Sequence, residues 1–114
     1  MLGPNKLPIG YWPSSIVPGL ADYAKVIYMG GITQAPHNEP GPPMGSGHFA
    51  EEGFSKASSF SGVQYIDANN NFQYPKHHDK YVDESVCYNM GDAFDTDQHN
   101  GLAFFFGGPG RCTR

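Results

Sequence analysis

Glu51 and Glu52 are adjacent acids that follow His48 within four positions. Carboxylates beside an imidazole are the side chains that move protons near neutral pH, so general acid–base chemistry is the first reading to weigh. On a strand the two glutamates point to opposite faces and cannot act as a pair. Either one needs a second acid from elsewhere in the fold, such as Asp22 or Asp67, and the plain alternative is a solvated charged turn. His48 follows Gly45-Ser46-Gly47 in a polar loop. As a general base it would need a nucleophile, and no GxSxG elbow exists, so a structural, hydrogen-bonded histidine is the plain alternative. His77-His78-Asp79 carries ligand chemistry, but neighbouring side chains on a strand diverge and no second cluster accompanies it. That stretch reads as a solvated loop, and no metal or other cofactor is expected. Gly45-x-Gly47 is followed by neither lysine nor a helix, which excludes a phosphate loop. Trp12, Tyr11 and the run Leu102–Phe106 read as core, with aromatic stacking on a ligand as the alternative.

The elements that must hold these residues are short strands. Pro4, Pro8 and Pro13 forbid a sustained helix at the start, and Lys6–Trp12 reads as an edge strand, where a missing N–H is tolerated. Ser14 or Ser15 caps one brief turn over Ser15–Pro18, which Gly19 then breaks. Asp22–Met29 alternates Ala24, Val26 and Tyr28 against Tyr23, Lys25 and Ile27, the pattern of a strand within a sandwich. Gly30-Gly31 marks a bulge or a close approach of another group to the backbone. Gln34–Gly47 is a long loop of turn residues, a length that signals function or mobility. Val63–Asp67 predicts a strand that turns at Asn69-Asn70-Asn71 and returns through Phe72–Tyr74. Tyr81–Tyr88 predicts a further strand, Gly91–Asn100 an acidic loop, and Leu102–Phe106 a strand buried on both faces and stopped by Gly107-Gly108-Pro109-Gly110.

Composition agrees with that pattern. With 114 residues there is room for one domain, and 39% apolar content argues against wholesale disorder. The 15 glycines and 10 prolines, without a triplet period, fit many strands joined by tight turns. A formal charge of −4 repels phosphate backbones, so nucleic acid is excluded as a partner. No apolar stretch reaches the length of a membrane span, and Met1–Ser15 lacks the features of a signal peptide. Cys87 and Cys112 match no CxxC or zinc spacing. If paired, they would contribute about 3–4 kcal/mol by loop closure; a reduced pair is the other reading.

Taken in order, IGYWPSSI, the Gly30-Gly31 step, MGSGHFAEEGFSKASSF, VCYN and FFFGGPGRC resemble the neprosin-type domain of secreted plant proteins, from about Ile9 to Cys112. The resemblance implies an antiparallel β-sandwich that cuts peptides beside proline. Two glutamates would share the work, one activating water and its partner donating a proton, which requires environments that push their pKa values apart. It also implies that Cys87 and Cys112 pair and that the protein is secretory. One of the two glutamates follows the Gly-Gly step, and here that position is Ile32. The tryptophan usual before the step is replaced around Tyr28-Met29. The other glutamate belongs to an earlier region, so residues 1–114 are expected to be the C-terminal portion of the domain with its N-terminal half absent. The expectation is therefore an all-β, partial sandwich that has lost its catalytic pair, with His48, Glu51, Glu52 and Trp12 as candidate cleft residues or residual acids. Its expected partners are proline-rich peptides or cell-wall polymers, a second copy, or the missing half.

Overall fold

Leu102–Phe106 has no polar side chain to turn toward water, so it is stable only where both of its faces are covered. The computed structural model describes residues 5, 7, 9–96 and 101–113, and in it this run is the central strand. Among the described residues the strands are β1 (Ser58–Val63), β2 (Tyr65–Ile66), β3 (Phe72–Gln73), β4 (Asn89–Met90), β5 (Phe94–Asp95) and β6 (Leu102–Gly107). β1 runs antiparallel along one edge of β6, pairing Ser58 with Phe106 and Phe60 with Phe104, then slipping at a bulge so that Val63 meets Leu102. β4 and β5 share the other edge, with Met90 opposite Phe106 and Phe94 opposite Ala103. β2 and β3 form a separate hairpin. The chain is all-β, and its helical content among the described residues is two 3-10 turns, Pro18–Leu20 and Ala50–Glu52.

Strand alternation sorts the aromatics of the four-stranded sheet. Phe60 stacks on Phe104 and Phe106 on one face, with ring centroids 5.2 and 5.4 Å apart. On the other face Phe94 packs on Phe105 at 5.9 Å. The buried apolar residues are Ala50, Cys87, Tyr88, Leu102, Ala103 and Phe104, all on or beside β6. The predicted hairpin is present: Tyr65 pairs with Gln73 and Ile66 with Phe72. Asp67 closes its turn by accepting the backbone N–H groups of Asn69 and Asn71.

Several expected elements differ. Asp22–Met29 forms no strand and is exposed throughout. Alternation makes a strand only where a neighbour supplies ladder bonds and a packing surface, and no described strand runs beside it. Tyr81–Tyr88 forms no strand, because the Glu84 carbonyl accepts both the Cys87 and Tyr88 N–H groups and so bends the chain into a turn at 85–87. Gln64 interrupts the Val63–Asp67 run, and β5 lies inside the stretch expected to be loop, of which residues 97–100 fall outside the described residues. None of the described residues of Lys6–Trp12 is in a strand; Lys6 and Pro8 fall outside them. Gly19 does not break a turn but sits inside the first 3-10 turn. Tyr11 and Trp12 are not core, at 82% and 68% exposed.

The Gly30-Gly31 step and the long loop after it are both tied down. Gly31 is a close approach: a Cβ there would lie 2.6 Å from Met44 Sδ and 3.0 Å from a Phe106 ring carbon. The proline-rich loop is laced to the C-terminal segment by bridges between Pro40 and Thr113 and between Met44 and Gly108.

Candidate functional site

The segment His48–Lys56 contains no β-branched run and starts after two glycines, so a tight 3-10 turn forms at Ala50–Glu52, in keeping with the charged-turn reading of the two glutamates. This turn separates the two glutamates. Glu52 folds back: its Oε1 accepts the Phe49 N–H at 3.1 Å and its Oε2 lies 2.9 Å from His48 Nδ1. An ionised carboxylate only accepts, so the imidazole proton sits on Nδ1. Phe49 has no side-chain acceptor, so only the glutamate half of a capping box exists here. Lys56 adds a longer ion pair to the same Oε2 at 3.9 Å. The hydrogen bond from His48 is the main reason that the Glu52 carboxyl is held below its ordinary value of 4.5, and the Phe49 amide acts in the same direction.

Glu51 goes the other way, to β4. Asn89 Oδ1 accepts the N–H of the buried Ala50 at 2.7 Å, which leaves its amide nitrogen to donate to Glu51 Oε2 at 2.5 Å. Asn89 thus docks the 3-10 turn onto the sheet. Sequence reasoning missed it, and a lone asparagine near a strand start carries no signal that could have revealed it. The ladder puts the Asn89 side chain on the face opposite Phe106, whereas Gly31, one residue before Ile32, packs on the Phe106 ring. The sheet therefore stands between Asn89, which holds Glu51, and the Gly31 backbone.

The remaining candidates fall apart in the same way. Ile32 is 98% exposed. Asp67 is consumed by its turn and by Gln73 Nε2, which donates to Oδ2 at 3.1 Å; the amide of Asn71 leads the hydrogen bonds that hold its carboxyl below the ordinary range. Asp22 and the run His77-His78-Asp79 are exposed. His48 proves to be a hydrogen-bonded histidine bound to a carboxylate. Cys87 and Cys112 form a disulfide.

A prediction follows from the Glu52 geometry. A carboxylate with a lowered folded-state pKa contributes stability above its unfolded pKa, and that contribution disappears as pH falls through the lowered value. In an NMR titration Glu52 is expected to titrate below 4.5, and His48→Ala is expected to move its midpoint upward. An unchanged midpoint in the variant would show that the imidazole is not what holds the carboxylate.

A small all-β protein, clasped by one disulfide and carrying a histidine–glutamate pair on a 3-10 turn beside its sheet, is the class that these features define. Residues 1–109 match the Neprosin family, and the chain belongs to that family. No solved structure matches it significantly. No described helix is long and apolar enough to cross a membrane.

Proposed function

We propose that this neprosin-type chain does not hydrolyse peptides, because one member of the family's catalytic pair is replaced, and that its residues build part of a sandwich. The observation that carries the reading is Ile32, an aliphatic and almost fully exposed side chain at the position where the family resemblance calls for a proton carrier. Glu51, Glu52 and Asp67 offer no substitute, since each is engaged in a structural hydrogen bond. General acid–base groups contribute about 10²–10⁴-fold each and act as a unit, so loss of one member at position 32 leaves little rate. A partial sandwich is supported by the exposed Tyr23, Val26, Ile27 and Tyr28. The Cα radius of gyration, 16.6 Å, also supports it, against roughly 13 Å for a compact domain of about this size. Family and disulfide together favour the secretory pathway.

The test is incubation with a proline-rich polypeptide at acidic pH, beside an Ile32→Glu variant. No cleavage is expected from the unmodified chain; fragments produced by it, with contaminating proteases excluded, would refute the proposal.

A second reading, a module that grips proline-rich peptides, is favoured by the adjacent exposed rings of Tyr11 and Trp12, since such ligands dock on aromatic surfaces. Trp12 is the sole tryptophan, so its fluorescence reports the contact. A saturable change on titration with a proline-rich peptide is expected if this reading holds, and a flat titration removes it.

A further inference from the structure

We propose that the Cys87–Cys112 disulfide is a reducible latch, attacked by a dithiol at Cys112, that controls how firmly the proline-rich loop and, through Met44, the Gly31 backbone are held on the sheet. This inference is independent of the catalytic reading.

Access is one-sided. Cys87 is 6% exposed, whereas Cys112 lines a cavity of about 270 Å³ together with His37, Glu39, Glu84 and Tyr88. Cys112 is the less buried of the two cysteines and the one that borders this cavity, so an incoming thiolate attacks at Cys112. It forms a mixed disulfide there while the bond to Cys87 breaks and Cys87 leaves as a thiolate. The second thiol of the reagent then attacks the reagent's own sulfur and releases Cys112. The dithiol ends as a cyclic disulfide, both cysteines are reduced, and the thiolates take protons from water.

What the latch holds is a layer of backbone bonds outside the main sheet. Gly41 N–H donates to Cys112 O at 2.7 Å and Arg111 N–H to Gly41 O at 2.8 Å. Met44 N–H donates to Gly108 O at 3.0 Å, and Gly110 N–H reaches Cys87 O at 3.4 Å. Tyr88 adds its hydroxyl, which donates to Pro42 O at 2.8 Å. The loop so held carries Met44, whose thioether fills the space over Gly31. The β1–β6 ladder uses none of these bonds. Opening the latch therefore loosens the C-terminal segment and the proline-rich loop while the sheet persists.

Three measurements on the intact chain test this. In hydrogen exchange, reduction with dithiothreitol and alkylation are expected to speed the amides of Gly41, Met44 and Arg111 by about tenfold or more, with β1 and β6 unchanged. No change at those three, or simultaneous loss of protection in β1 and β6, would overturn the latch. Trapping with glutathione is expected to place the adduct on Cys112, and an adduct on Cys87 would refute the direction of attack. Reduction of the parent chain, and Met44→Ala in the oxidised chain, are each expected to speed chymotryptic cleavage after Tyr28; unchanged cleavage in either would break the link to Gly31.

Discussion

Replacing Phe104 by alanine is expected to unfold the chain or to lower its urea midpoint by more than half. Phe104 is 6% exposed, sits on the central strand and stacks directly on its cross-strand partner Phe60. Truncating a buried phenylalanine costs about 3–5 kcal/mol, through lost transfer energy and the cavity left behind. A domain's whole stability is about 5–15 kcal/mol, and the small buried set around β6 argues for the lower end. Phe94→Ala is the control. Phe94 packs on the opposite face and is about half exposed, so its loss is expected to shift the midpoint far less. Equal shifts in the two variants, read by circular dichroism, would mean that the Phe60–Phe104–Phe106 cluster is not the core.

Gly108→Ala is expected to be the most damaging small substitution. Gly108 has φ +154°, and a Cβ there would collide with the Cys87 carbonyl oxygen and lie 2.8 Å from Tyr88 Cα. Both obstacles are backbone, so neither can rotate away. Backbone strain of this kind costs about 1–3 kcal/mol, and the forced separation also disturbs the Met44–Gly108 bridge. A fall in thermal midpoint of several degrees is expected. Gly19→Ala, with no atom within 4 Å of the added methyl, is expected to change little. A Gly108 variant as stable as its parent would show that the backbone at Gly108 does not pack against Cys87 and Tyr88.

The parts of the fold that were legible in the sequence are those specified by local composition. Leu102–Phe106 has nowhere to go but the middle of a sheet, and Asn69-Asn70-Asn71 dictates a hairpin turn whichever partners are nearby. Asp22–Met29 was misread because its alternation is only half of a specification, the other half being an adjacent strand. Tyr81–Tyr88 was misread because one carbonyl, that of Glu84, gathers two local amides and outcompetes any ladder. In the site, the spacing of His48 and Glu52 was visible, but not the 3-10 turn that lets one reach the other. The divergence of Glu51 from Glu52 was anticipated on strand geometry and occurs for a different reason: Asn89, distant in sequence, takes Glu51.

The arrangement of the sheet has a bearing on biosynthesis. β1, β4 and β5 each pair with β6, and all three precede it in the chain. None of that ladder can assemble until the last of its members has been translated, so closure is late and long-range, the kind of topology that folds slowly. In the interval Phe60 and its neighbours wait uncovered on the nascent chain, and a chaperone that binds apolar segments would find its target there.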